Sequence, residues 1–95
     1  MLERDFKEIV IKDLKSLQNC YSVKTQELAR RGVPDILACI GGKFVAIELK
    51  KEDGRVEPLQ AHTLDKIIQS GGMGFVARPS TWQQQLEMLR RLKQC

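Results

Sequence analysis

Gly41 and Gly42 separate two apolar runs, residues 33–40 and 43–50, and constrain the fold more than any other feature of the sequence. A two-residue Gly-Gly loop favours a type I′ or II′ turn, so the two runs are predicted to form an antiparallel hairpin. Such a turn pairs Ile40 with Lys43, and each step away from it pairs the next two residues. The same register places Asp35 directly opposite Glu48, with Cβ atoms roughly 5 Å apart.

Three polar residues, Asp35, Glu48 and Lys50, lie at the end of the hairpin remote from the turn, which we call its open end. Lys50 is expected on the same face as Glu48, because side chains alternate faces along a strand. Two carboxylates held together in an apolar hairpin destabilise it unless a positive charge lies between them. A divalent metal ion together with Lys50 would supply that charge. The alternative is a plain salt bridge between Glu48 and Lys50, and the pairing alone leaves both interpretations open.

The spacing of apolar residues predicts an α/β fold with the element order αβββαβα. Both faces of the hairpin strands are apolar, which predicts layers packed on both sides of the sheet. We therefore expect a mixed four-stranded sheet flanked by helices, in a single domain over residues 1–95. The predicted elements are a helix over 3–18, a strand over 21–26, strands over 33–40 and 43–50, a helix from Pro58 to a Gly71-Gly72 stop, a strand over 73–77 and a helix over 82–93.

Composition narrows the class of protein. The 95 residues carry a formal net charge of +4, which suits a polyanionic partner without requiring one. No apolar run is long enough to cross a bilayer and no signal-peptide pattern is present, so we expect a cytoplasmic protein with no membrane partner. The three cysteines, Cys20, Cys39 and Cys95, lack metal-ligand spacing and are expected to be reduced thiols.

The residue types at the open end suit phosphodiester hydrolysis. This reaction needs an activated water and neutralisation of the charge on the phosphoryl oxygens, and Mg²⁺ or Mn²⁺ held by hard oxygen ligands provides both. Asp35 and Glu48 offer such ligands. Lys50 is placed to orient or deprotonate the water, or to stabilise the transition state.

Pro34-Asp35 followed by Glu48-Leu49-Lys50 resembles the signature of the PD-(D/E)XK nuclease superfamily. A longer match is similar to the stand-alone form of the virus-type replication-repair nuclease (VRR-NUC) family and covers nearly the whole chain. The resemblance implies a restriction-endonuclease-like αβββαβ core and a metal-dependent nuclease. The longer match consists of Gly32-Val33-Pro34-Asp35-Ile36-Leu37, Gly41-Gly42-Lys43-Phe44, Ile47-Glu48-Leu49-Lys50, Leu59-Gln60 and Gly71-Gly72.

The resemblance also implies roles for individual residues. Asp35, Glu48 and the backbone carbonyl of Leu49 would bind Mg²⁺ or Mn²⁺, and Lys50 would be the catalytic lysine. Gln60 matches a glutamine near the family's site. The family usually has a small hydroxyl residue just before that glutamine, whereas Leu59 precedes it here.

The family uses a further glutamate on its first helix, and two residues compete for that role. Glu3 lies about 60° from Phe6 on a helical wheel, within the buried stripe, whereas Glu8 lies about 160° away and faces water. Glu3 is therefore the predicted catalytic and metal-binding glutamate, with Glu8 as the alternative.

Arg30, Arg31 and Lys51 lie beside these segments and are candidate nucleic-acid contacts. For the two arginines the alternative is a solvated loop. The predicted function is a Mg²⁺- or Mn²⁺-dependent endonuclease of phage or prophage type that cuts branched DNA, namely Holliday junctions or flaps. A four-way junction needs two matched sites and one protomer offers one, so a homodimer is predicted. The rival interpretations are a nucleic-acid-binding module with vestigial catalysis and a small basic interaction protein without a metal.

Overall fold

The computed structural model describes residues 1–25 and 31–92. The predicted element order is confirmed within these residues. Arg30, Lys93 and Cys95, and most of the loop predicted before Gly32, lie outside the described residues. The helices are α1 (Glu3–Lys15), α2 (Pro58–Gln69) and α3 (Trp82–Leu92), and the strands are β1 (Cys20–Lys24), β2 (Ile36–Ile40), β3 (Lys43–Leu49) and β4 (Met73–Ala77).

The four strands form one mixed sheet in the order β1-β2-β3-β4. The first three strands are antiparallel and β4 is parallel to β3, as the α2 crossover requires. Gly41 and Gly42 have φ of 58° and 85°, and a type I′ turn needs positive φ at both central residues. The predicted register is also confirmed, because Ile40 pairs with Lys43 and Ile36 pairs with Ile47.

One face of the sheet carries the main core, under α1 and α3. The Trp82 indole N–H donates to Asp13 Oδ2 at 2.8 Å and so ties α3 to α1. The buried apolar residues of this core come from both helices and from β2, β3 and β4: Phe6, Val10, Leu14, Leu17, Ile36, Ala38, Ile40, Val45, Ile47, Leu49, Ala77, Trp82, Leu86 and Leu89.

The other face is covered only in part, so the predicted packing on both sides holds for half of the sheet. α2 packs against β3 and β4 and buries Ala46 and Leu64. The half formed by β1 and β2 stays open: on β1, Tyr21 is 74% exposed and Val23 is 42% exposed. The reason is geometric, because one helix is about 10 Å wide and strands lie about 4.8 Å apart, so a single helix spans two strands rather than four.

α1 also departs from the prediction. It ends at Lys15, three residues early, where the Ser16 hydroxyl donates to the Asp13 carbonyl at 2.6 Å. Ile9 has the helical spacing of the buried residues Phe6 and Val10, yet it is 39% exposed, while Val10 next to it is fully buried. Cys20 and Cys39 are free thiols, as predicted. No helix in residues 1–25 and 31–92 is long and apolar enough to span a bilayer.

Candidate active site

The open end of the hairpin brings Asp35 and Glu48 together. Ile36 pairs with Ile47, so one further step in the same register places Asp35 opposite Glu48. Asp35 is anchored from both sides. Its Oδ2 accepts a hydrogen bond from the Leu49 backbone N–H at 2.8 Å, and its backbone carbonyl accepts from the Thr25 N–H at 2.9 Å. The carboxylate is therefore fixed against β3, where the sequence predicted it.

Glu48 is charged and yet buried, with 3% of its surface exposed, and no other charged side chain among the described residues is buried in this way. Its Oε2 lies 3.6 Å from Lys50 Nζ, so the ion pair of the simpler interpretation is present. Its Oε1, however, is buried and has no hydrogen-bond partner among the described residues. Leaving a buried acceptor unpaired costs about 1–3 kcal/mol, and more when the group is charged. A plain salt bridge to Lys50 therefore gives a partner to only one of the two oxygens of this carboxylate.

The surroundings of Glu48 oppose its negative charge. Burial, and after it the negative charge of Asp35, raise the pKa of Glu48 from 4.5 to about 7, and Lys50 offsets only part of the increase. A carboxyl group desolvated beside a second carboxylate is typical of functional sites. A bound cation would favour the charged form.

A cavity of about 220 Å³ opens beside Asp35, between the strand end and the start of α1. It distinguishes the two competing glutamates. Glu3 lines this cavity, although it is exposed and not buried as its place in the helical stripe predicted, whereas the exposed Glu8 lines a different cavity next to Lys15 and Lys24. The cavity is lined by Glu3, Arg4, Lys7, Asp35 and Leu49.

The oxygen atoms at this site fit a hard divalent cation. Mg²⁺ usually takes one or two carboxylates and keeps several waters, and Asp35 and Glu48 offer two carboxylates, one with an unpartnered oxygen. Leu49, whose carbonyl is the third predicted ligand, lines the adjoining cavity. In the described part of the chain, no three His, Cys, Asp or Glu side chains are close enough to share one ion. Glu3 therefore shares the cavity without joining the Asp35–Glu48 pair, and its role as a ligand stays a prediction.

Gln60 has a structural contact in addition to its predicted role. Its side-chain carbonyl accepts a hydrogen bond from the Glu57 backbone N–H at 2.9 Å and so caps the start of α2. The Glu-Pro-Leu-Gln order at a helix start is itself a capping-box pattern. The catalytic role of Gln60, like the nucleic-acid contacts of the exposed Arg31 and Lys51, remains a prediction.

Arg78 was not singled out by the sequence, yet it organises the segment after Lys50. Its Nη1 donates to the backbone carbonyls of Lys51, Glu52 and Gly54, at 2.8, 3.2 and 2.7 Å. The Lys50 backbone N–H in turn donates to the Ala77 carbonyl at 3.0 Å. The end of β4 thus fixes the path of the chain on both sides of Lys51. The only signal in the sequence is a basic residue at a predicted strand end.

Comparison with known proteins agrees with this architecture. A solved structure described as "VRR_NUC domain" aligns with a TM-score of 0.73 over 94% of this chain and 94% of that one, at 21% sequence identity. The fold is that of a VRR-NUC domain. The predicted α/β fold, a mixed four-stranded sheet flanked by helices, is thereby confirmed. No protein-family model matches the chain, and no curated protein matches it by sequence.

Proposed function

We propose that this protein is a Mg²⁺- or Mn²⁺-dependent endonuclease whose active site is the open end of the hairpin. One observation carries the proposal: the Glu48 carboxylate is buried opposite Asp35 with one oxygen unpartnered. Such a group is unfavourable in the protein alone and is satisfied by a cation. The VRR-NUC fold and the adjoining cavity support the same conclusion.

Asp35, Glu48 and the Leu49 carbonyl would hold the ion, with Glu3 close by in the cavity. When bound, the ion would neutralise charge on the phosphoryl oxygens and make a water more acidic. Lys50 is only 13% exposed and its Nζ lies 3.6 Å from Glu48 Oε2. From this position it can hold the attacking water and donate a hydrogen bond to the phosphoryl oxygen that gains charge. Asp35, fixed by the Leu49 N–H, keeps its carboxylate oriented during the reaction.

We propose that the substrate is branched DNA and that the active form is a homodimer. Each protomer is proposed to be a single domain over residues 1–95, and the protein to act in the cytoplasm. The half of the sheet that α2 leaves open supports the dimer. Tyr21 and Val23 on β1 are large apolar side chains that solvent reaches, and such surfaces commonly mark contacts between proteins. A monomer by light scattering at a concentration that cuts junctions would contradict the dimer.

The test is a cleavage assay on a labelled four-way junction, a flap and a plain duplex, each with Mg²⁺, Mn²⁺ or EDTA. The wild type should cut at least one branched substrate with a metal ion and none with EDTA. Asp35→Ala and Lys50→Ala should lower the cleavage rate by roughly 10²–10⁴-fold, because each removes a group that acts at the reacting phosphate.

Exposed residues of the same types provide controls. Asp53→Ala and Lys66→Ala remove the same charges from exposed positions outside the Asp35, Glu48 and Lys50 cluster and should leave the rate unchanged. If the wild type cuts none of the substrates under any metal condition, the nuclease proposal is wrong. Metal-independent binding without cutting would favour a nucleic-acid-binding module of the same fold.

A further inference from the structure

We infer that Arg4 and Lys7, in the first two turns of α1, bind the phosphodiester backbone of the strand that enters the active site. Both line the cavity that also contains Asp35 and Leu49. The inference rests on the proposed function, since it assigns two further substrate-binding residues to the same site. The ligand class is a nucleic-acid phosphate, recognised without regard to base sequence.

The helix geometry places both cations on one wall of the cavity. Residues three apart on a helix are neighbours on its surface, so Arg4 and Lys7 act as a pair. Asp35 and Leu49 come from the strand ends facing them across the cavity. A strand of nucleic acid whose scissile phosphate lies at the open end would therefore have a neighbouring phosphate within reach of α1.

Neither cation forms an ion pair within residues 1–25 and 31–92. The ion pairs there are Lys50–Glu48 and Arg90–Glu87. Arg4 and Lys7 form none, although two carboxylates, Glu3 and Asp35, line the same cavity. Lys7 is partly buried, as expected of a side chain that lines a cavity.

The position of Arg4 on α1 is also unfavourable for the helix alone. The helix macrodipole places partial positive charge at the first turn, where acidic residues stabilise and basic residues destabilise. Glu3 and Asp5 follow that preference, whereas Arg4 does not. An anionic ligand in the cavity would compensate for the position of Arg4.

The charges of the cavity indicate when this ligand binds best. In the protein alone, Glu3, Asp35 and Glu48 oppose a phosphate. A divalent ion held by Asp35 and Glu48 would neutralise those two carboxylates. Arg4 and Lys7 would then attract the phosphate with little opposition from Asp35 and Glu48. DNA affinity should therefore increase when a divalent ion is added.

The experiment measures binding of a labelled synthetic four-way junction by fluorescence anisotropy across a range of salt concentrations. Cleavage is silenced with EDTA, so binding is read without activity. Arg4→Gln/Lys7→Gln should weaken binding about tenfold and lower the slope of log affinity against log salt by about one per charge removed. Arg4→Lys/Lys7→Arg, which keeps both charges, should retain the wild-type slope.

Lys12→Gln is the matched control, because Lys12 is exposed on the same helix and does not line the cavity. It should leave affinity and slope near those of the wild type. In a parallel cleavage assay with Mn²⁺, Arg4→Gln/Lys7→Gln should raise KM with kcat within about threefold, as expected when binding rather than chemistry is lost. Circular dichroism checks that each variant is folded.

Three outcomes would overturn the inference: an unchanged slope in Arg4→Gln/Lys7→Gln, an equal loss in Lys12→Gln, or no DNA binding by the wild type. Failure of the nuclease proposal gives a different result. If the wild type binds the junction with a slope that depends on Arg4 and Lys7 but cuts nothing with any metal, the phosphate contacts stand and the nuclease activity does not.

Discussion

Two neighbouring pairs of the same hairpin differ in what they contribute. Ile36 and Ile47 face each other in the ladder, are almost fully buried and join the main core. One step further, Asp35 and Glu48 face each other on the opposite side of the sheet, and Glu48 is equally buried but keeps an unpartnered oxygen. The backbone is the same in both places, so the side chains alone turn a stabilising pair into a destabilising one.

The free energies of burial show which of the two pairs stabilises the fold. Full burial of an isoleucine side chain contributes about 1.5–3 kcal/mol to stability. An unpartnered buried acceptor costs about 1–3 kcal/mol, and a second carboxylate nearby adds to that cost. The body of the hairpin therefore stabilises the protein and the open end reduces its stability. A fold retains such a pair when a ligand uses it.

Substitutions at the adjacent residues Ile47 and Glu48 should have opposite effects on stability. Ile47→Ala should lower the free energy of unfolding by about 2–5 kcal/mol, because it leaves a cavity in the core. Glu48→Gln, one residue along, should raise that free energy in metal-free protein, because it removes a buried charge. Urea denaturation measures both. A loss of stability in Glu48→Gln as large as in Ile47→Ala would show that the carboxylate is structural.

A smaller effect concerns pH. Burial and Asp35 raise the pKa of Glu48 from 4.5 to about 7 in the folded protein. Between those values the folded state keeps a proton that the unfolded state has lost, so stability is full below the lower value and falls as pH rises toward the upper one. The total loss of stability is at most about 3.5 kcal/mol, from roughly 1.4 kcal/mol per pKa unit.

Urea denaturation of metal-free protein at about pH 5 and about pH 8 measures this loss. Glu48→Gln, which cannot titrate, should lose most of the dependence, and Asp53→Asn on the exposed loop should keep it. Stability that rises with pH over this range in the wild type would contradict the raised pKa.

Much of the hairpin could be predicted from the sequence, because a Gly-Gly turn sets the register and the register determines every pair. Asp35 opposite Glu48 follows by counting from Gly41 and Gly42. Three further properties could not be predicted in this way: the burial of Glu48, its unpartnered oxygen and the presence of Arg4 at the same cavity. They depend on how helices and loops pack against the strand ends, which no local pattern determines.

Two features differ from the sequence-based expectation for the same reason: the coverage of the sheet and the exposure of Ile9 both depend on tertiary packing. The near-continuous apolar runs of β2 and β3 show that both faces of the sheet are apolar, but they do not show how much surface α2 covers. Ile9 fits a helical stripe by spacing, yet the contact face of α1 is set by what Val10 and its neighbours meet in the sheet. The contacts of Arg78 join segments more than twenty residues apart and leave no local pattern.

Metal binding by Asp35 and Glu48 is tested most directly by the melting temperatures of the wild type and Glu48→Gln during titration with Mn²⁺. If the Asp35–Glu48 pair binds the ion, a concentration tenfold above Kd should stabilise the wild type by about 1.4 kcal/mol, an increase of several degrees in Tm. Glu48→Gln should not respond, and Asp53→Asn should respond like the wild type. No shift in the wild type at millimolar Mn²⁺, or an equal shift in Glu48→Gln, would contradict the metal site.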